Sequence, residues 1–470
     1  MNAIQQRELA KWNNPDRIVV PLKKPKVRNK LRWIAVACSI PFLVLLGLAV
    51  WFAIGEWEAS RLVYSEMEQL RLRGQPLDNE STAAWFNART HKEGTDAWLE
   101  VLQLSESSAR LAVDLPFVGS GFAPVDITPG MEWPAEPRVA EYLEVLDPLL
   151  TEIHQACEYA KPVWLPIQWD GFRTLLPQLQ QSTSVTRLLK LKAVHSLWKN
   201  QSDEALKSIK SILETASAMD SQAFQVTDLV CHWAIGTAIE TINRSLRMDV
   251  WNEEQLATLS QLLSQQKDPL DSWKSVFECE RALVMTLRNN LESVFLDGES
   301  VALRYIPWFP SDDLRILRHY QSIIDLAAGG MAGLPDRCDK WEASWKKEMI
   351  RSPFSASTIL LGLRTIDVQP HAQAKELYAI QRQLALTAIA IKRFQKVNGR
   401  FPQTLSELSS PDWPLVNWSV NQRTPFIYEV KEGTANLSYQ ETTGLPGVTA
   451  PPTTPGLELS RANMLDIVIR

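Results

Sequence analysis

The 470-residue chain reads as a mainly α-helical protein. It is expected to have an N-terminal transmembrane helix, a helical-bundle or tetratricopeptide-like ectodomain, and a small C-terminal α+β cap with a β-hairpin. Three observations predict this: an uncharged apolar run of 22 residues at positions 33–54; long middle segments with apolar residues at three- and four-residue spacing; and a helix, corner and alternating-strand pattern near the C-terminus. At this length two or three packed units are expected. A composition of 45% hydrophobic and 22% charged residues is that of a globular chain and argues against disorder over most of the length.

The apolar run, "WIAVACSIPFLVLLGLAVWFAI", has Trp33 at one end and Ile54 at the other, and about 20 such residues cross a bilayer as a helix. Pro41 and Gly47 are tolerated, both being commoner in transmembrane helices than in soluble ones, and Trp33, Trp51 and Trp57 lie where interface anchors belong. Residues 1–32 hold nine Lys or Arg against Glu8 and Asp16, a net charge of +7 that leaves −12 for the rest of a chain totalling −5. The positive-inside rule therefore reads 1–32 as a basic cytoplasmic tail and 33–54 as a signal anchor in the lipid bilayer, with the C-terminal bulk extracytoplasmic, which is inner membrane and periplasm in a bacterium. The length of the run and the bulk of Phe52 and Trp57 favour an anchor over a cleaved signal peptide with Ala53 and Gly55 before the cut. An acidic ectodomain argues against nucleic acid as a partner.

Residues 55–136 read as a stalk, continuing the membrane helix to Gly74 and Pro76, and then a loop-rich region dense in Pro and Gly after Leu115. The helical ectodomain is placed at 137–350, with helices expected at 137–160, 183–199, 203–219, 222–247, 252–266, 270–295 and 311–328. Asn252 followed by Gln255 is a capping-box pattern, Ser311 precedes a helical run, and Gly329 and Gly330 close it. The stretch 183–219 reads as two helices joined by the polar turn Asn200, Gln201 and Ser202. It looks like a tetratricopeptide-type hairpin, with Ala193, Ala205 and Ile209 at packing positions, although no 34-residue repeat is visible.

Residues 351–443 read as the α+β cap. Helix 372–397 is apolar almost all round between Leu384 and Ile391, which marks it as buried. In "FQKVNGRFPQTLSEL" (394–408), Asn398 and Gly399 stop that helix, Phe401 and Pro402 make a corner, and Thr404 with Glu407 caps a short helix whose inward residues are Leu405 and Leu408. "FIYEVKEGTANLSYQ" alternates Phe426, Tyr428 and Val430 with Leu437 and Tyr439 around Gly433, a hairpin signal. Residues 444–470 read as a Pro/Thr-rich tail.

This order of long helix, NGRFP corner, short helix and hairpin resembles the globular end of type II secretion pseudopilins over about residues 372–440. Most of the exported chain also resembles uncharacterised single-anchor bacterial envelope proteins with a helical middle and this ending. The resemblance implies an envelope location but supplies no catalytic residue. The pseudopilin processing site is absent, and "TPFIY" at 424–428 lacks both the Asp and the Gly of the corresponding turn, so the calcium site of some pseudopilins is not carried over.

No HExxH, GxSxG, P-loop or GxGxxG occurs, so no catalytic, cofactor-binding or metal residue is assigned. Ser196 with Lys199 and Ser344 with Lys347 fit SxxK, a pattern short enough to arise by chance, and the companion KTG is missing. His195, His232 and His319 fall in predicted helices and read as satisfied core or surface histidines, and Cys231 beside His232 points about 100° away from it. Glu278 and Glu280 face different sides of a helix and are expected to pair with charges on neighbouring helices. The five cysteines, Cys38, Cys157, Cys231, Cys279 and Cys338, form no CxxC, and the 18 tryptophans read mostly as core side chains. The expected function is that of a membrane-anchored, non-catalytic interaction or scaffold protein of the cell envelope with a protein or cell-wall partner. The alternatives are an enzyme whose site is assembled from scattered polar residues, or a component of a secretion or pseudopilus-like machine.

Overall fold

A computed structural model describes residues 27–108, 114–121, 129–159, 161–171, 174–221, 223–287, 308–351, 357, 368–408, 426–431, 433–439 and 466–469, with side chains from Ser39 onward. The chain divides into two compact units, Met1–Ala59 and Ser60–Arg470. Helix α1 (Val27–Leu72) runs through the boundary with Pro41 inside it. Its Ser39–Leu72 portion is long and apolar enough to cross a membrane and buries none of its most apolar stretch; Trp51 is 74% exposed. The tail before residue 27 lies outside the described residues. The helix continues past the apolar run, stops at Leu72 and is followed by Gly74 at φ +67°.

The second unit is mainly helical. The stretch read as stalk and loop also contains α2 (Asn79–Asn87) and α3 (Thr95–Ser108). Helix α2 is too short for a clear periodic signal, but Asp78 and Ser81 cap it reciprocally and Trp85 and Phe86 bury its inner face. The predicted helix 137–160 is two, α4 (Glu136–Val145) and α5 (Asp147–Ala156), because Pro148 begins a new first turn. Helices α6 (Pro177–Trp198) and α7 (Ser202–Met219) pack along each other through the turn, where Asn200 adopts φ +59°, and Ala193, Ala205 and Ile209 are fully buried. Helix α8 (Gln225–Ser245) packs on both. Helix α9 (Glu253–Ser264) starts at the Asn252–Gln255 capping box, with Gln255 N donating to Asn252 Oδ1 at 2.8 Å.

Helix α10 (Asp271–Leu287) packs on α2, α8 and α11 (Pro310–Asp325). Phe309 rather than Ser311 precedes α11, its N–H donating to Asp312 Oδ2 at 3.1 Å. A 3-10 turn (Leu326–Gly329) and Gly330 at φ +74° end that run. Helix α12 (Leu334–Arg351), unforeseen in the sequence, follows.

Helix α13 (Val368–Asn398) is central, with Leu384, Ala385, Ala388, Ile389 and Ile391 fully buried against α8, α9 and the sheet. Gly399 at φ +68° ends it, its N–H donating to Gln395 O at 2.8 Å. In the corner that follows, Glu407 Oε1 accepts from Gln403 N at 2.6 Å and Thr404 N at 3.3 Å, and Tyr428 Oη donates to Pro402 O at 2.9 Å, tying corner to sheet. Strands β1 (Ile427–Lys431) and β2 (Thr434–Ser438) form the predicted antiparallel hairpin, Tyr428 opposite Leu437. A third strand, β3 (Asp466–Ile469), lies within the stretch read as tail and pairs with β2, Ile467 opposite Leu437. Its alternating Ile467 and Ile469 are buried, which is why four residues suffice to dock it. The proline-rich part of the tail, 444–456, lies outside the described residues.

Candidate functional site

Three buried helices bring charged groups together in the core. Asp228, in the first turn of α8, faces Lys375 of α13, with Nζ 2.7 Å from Oδ2. The same ammonium donates to Ser272 Oγ at 2.7 Å and Pro269 O at 2.6 Å, both at the start of α10. Ser272 Oγ in turn donates to Asp228 Oδ1 at 2.5 Å. His371, one turn before Lys375, places Nε2 3.3 Å from Asp228 Oδ2, and His232, one turn after Asp228, places Nδ1 at 3.5 Å. Trp273 and Phe277 pack around the His371 ring, and Tyr378 lies 4.6 Å from that of His232.

Burial alone would raise the Asp228 pKa, but the charge and hydrogen bond of the Lys375 ammonium hold it below the usual carboxylate range. Burial drives both imidazoles the other way, His371 down to about 3 with Lys375 adding repulsion, so both rings are neutral at pH 7. Lys375 is lowered by burial and partly restored by Asp228. One matched ion pair, a serine hydroxyl engaged at both ends and two neutral rings thus form the network. Among the described residues neither His371 ring nitrogen nor His232 Nδ1 has a hydrogen-bond partner, while the Tyr378 hydroxyl lies beside the Arg382 guanidinium.

A cavity of about 110 Å³ reaches the network, lined by Asp228, Cys231, His232, Ser272 and Tyr378, with the Asp220–Lys267 ion pair (2.7 Å) also in its wall. It is large enough for a few waters or a small polar molecule. Asp228, His232 and His371 are of metal-ligating types, yet Lys375 occupies the carboxylate, and among the described residues no group of three or more His, Cys, Asp or Glu is placed to hold a metal ion.

Only one residue singled out in the sequence, His232, belongs to this network, with its neighbour Cys231 on the cavity wall. Among the described residues the His232 Nδ1 has no hydrogen-bond partner beyond the 3.5 Å approach to Asp228, and the buried Nδ1 of His319 has none. His195 is paired, Nε2 lying 3.1 Å from Glu136 Oε1. The SxxK pairs do not act together: Ser196 Oγ is buried without a partner while Lys199 Nζ reaches Glu136 at 3.0 Å, and Ser344 and Lys347 are exposed on α12. Among the described residues, neither Glu278 nor Glu280 forms the salt bridge to a neighbouring helix that was expected. Glu278 lies 3.7 Å from Lys274 on its own helix, and Glu280 is buried with Gln225 N (3.3 Å) donating to it, so burial raises its pKa to about 7. Cys157, Cys231, Cys279 and Cys338 are buried free thiols, their pKa values raised by burial. Asp228, Ser272, His371 and Lys375 were not foreseen; the signal available was two pairs of titratable residues at i, i+4 spacing on predicted helices, Asp228 with His232 and His371 with Lys375.

Comparison with family models, with curated proteins and with solved structures finds no match.

Proposed function

We propose that the chain is a single-anchor protein of the cell envelope, held by α1 with its basic tail cytoplasmic, whose helical body binds a protein or cell-wall partner without turning it over. The α6–α7 hairpin provides the tetratricopeptide-like surface, and the C-terminal cap is the pseudopilin-like closing piece. The observation that supports this most is the groove of about 730 Å³ between α5 and α7. Its wall carries Lys161, Lys207, Lys210 and His154 against Glu158 and Glu214, on helices whose opposite faces are locked into the core. Glu214 is shared between Lys161 (3.4 Å) and Lys210 (3.8 Å). His154 is neutral, brought down to about 4 by burial and by Lys207 and Lys192. A helical wall with partly exposed, mixed-charge side chains suits recognition of a partner surface.

The test is capture of partners from detergent-solubilised membranes by the wild-type protein and by the Lys207→Glu/Lys210→Glu variant. A partner retained by the wild type and lost by the variant supports the reading; identical captures refute the groove as the surface.

A second reading, an enzyme, is favoured by the cavity beside Ser272. Its hydroxyl lies between a base, Asp228, and a cation, Lys375, although the lowered pKa makes Asp228 a weak base. Peptidase, esterase, glycosidase and phosphatase substrates distinguish the two. Turnover abolished by Ser272→Ala in a protein that melts like the parent would establish the enzyme.

A further inference from the structure

Helices α2, α8 and α10 meet around a small aromatic core apart from the main one. Trp85 and Phe86 of α2, Ala223 and Phe224 just before α8, and Cys279 and Leu283 of α10 are all buried in it. Trp169, half-buried, covers it, stacked on Phe224 and edge-on to Phe86 with ring centres 5.5 Å apart in both cases. At the edge of this apolar corner the chain places a carboxylate. Glu280 follows Cys279 on α10 and is 8% exposed, and its Oε1 accepts from the backbone N–H of Gln225, the first residue of α8, at 3.3 Å.

A buried carboxylate is ordinarily answered by a basic side chain, as Asp228 is by Lys375 at 2.7 Å and Glu278 by Lys274 at 3.7 Å. Among the described residues Glu280 forms no such ion pair. The charged groups of the elements packed around it are engaged elsewhere. Arg89 of α2 lies over the Trp85 ring at 4.0 Å, Arg281 of α10 donates to Gln75 Oε1 at 2.9 Å, and Asp228 of α8 is held by Lys375. Tyr320 of α11 and Cys279 are pushed up by burial and stay neutral through pH 8. The Gln225 hydrogen bond favours the ionised form, yet burial outweighs it and raises Glu280 to about 7.

We propose that Glu280 is a pH-sensitive latch: protonated, it pins the first turn of α8 to α10; ionised, it releases that turn and opens the small aromatic core to water. An uncompensated charge in an apolar corner is relieved by hydration. Water has a short way in, because Val226 and Leu229 at the start of α8 are 51% and 37% exposed. Asp228 lies in the same first turn, so the latch also sets one wall of the cavity beside Ser272. The device is independent of the α5–α7 groove and of the binding reading.

Cys279 reports the opening, because its free thiol is fully buried in that core. The full-length protein in detergent and its Glu280→Gln variant are treated with N-ethylmaleimide at pH 5.5 and pH 8, and labelling of each cysteine is followed by mass spectrometry. Taking the ratio of parent to variant at each pH cancels the ordinary rise of thiol reactivity with pH. The Cys279 ratio is expected to grow about tenfold or more from pH 5.5 to pH 8, while the ratios at Cys157 and Cys338 stay level. The proposal is overturned by a Cys279 ratio that does not change with pH, or by no labelling of Cys279 in the parent at pH 8. An equal rise at all three thiols also overturns it, since that is unfolding of the whole body rather than release of one turn.

Discussion

Asp228 stabilises the fold only while Lys375 answers it. Removing one partner of a buried ion pair leaves an uncompensated charge, a loss of about 3–5 kcal/mol. Lys375→Met is therefore expected to destabilise by about that much in urea unfolding, and adding Asp228→Asn to it should recover a substantial part. Full additivity of the two losses would show that the groups do not act as a pair. Two opposite pH dependences also arise at this scale. The pKa values of His371 and His319 are depressed to about 3 from 6.5, so the unfolded chain binds more protons in between, and their stability contribution is present above pH 6.5 and lost as pH falls toward 3. Glu280 is raised to about 7 from 4.5, so its contribution is present below pH 4.5 and lost as pH rises through 7, an effect on the order of 3 kcal/mol. Glu280→Gln should gain stability relative to the parent between pH 5 and 8 and little below pH 4.5, measured as melting temperature against pH; parallel curves would place Glu280 in water. Asp228 and Lys375 each share a helix face with a histidine, His232 and His371, at i, i+4 spacing, and that much is visible in the sequence. Their meeting is not, because Asp228, Ser272 and Lys375 are distant in sequence and no local spacing encodes the approach of α8, α10 and α13.

The elements were legible where the local signals agreed. Apolar periodicity, capping and turn chemistry all pointed to α6, α7, α9 and α13 and to the hairpin β1–β2, and the structure places them there. Helix α12 was missed because "DKWEASWKKE" is mostly charged. Strand β3 was missed because four residues carry too little alternation to be read alone, and its identity comes from β2, remote in sequence. Helix α13 provides the sharpest test at this scale. Gly399→Val puts a β-branched side chain at φ +68°, costing about 1 kcal/mol or more, while open space around its Cβ removes a clash as the explanation. Leu384→Asp places an unpaired charge at a fully buried site and should lower the melting temperature far more. If both variants melt like the parent, α13 is neither the buried centre nor capped at Gly399.

At the scale of the whole molecule, the described apolar part of the first unit, from Ser39 on, is exposed, while the second unit buries cores of its own. Deleting residues 1–54 should therefore release a soluble body that keeps the far-ultraviolet helical signal and cooperative melting of the parent; aggregation of that fragment would show that the body needs α1 to fold. That α1 can span a membrane is legible in the sequence and in its exposed apolar surface. Which side the body occupies is argued from the charge of the tail alone, and the binding reading depends on it. Protease added to intact spheroplasts tests that placement most directly. Digestion of the bulk of the chain, leaving a small membrane-held N-terminal fragment, is the predicted result; full protection of the body until the membrane is broken would contradict it.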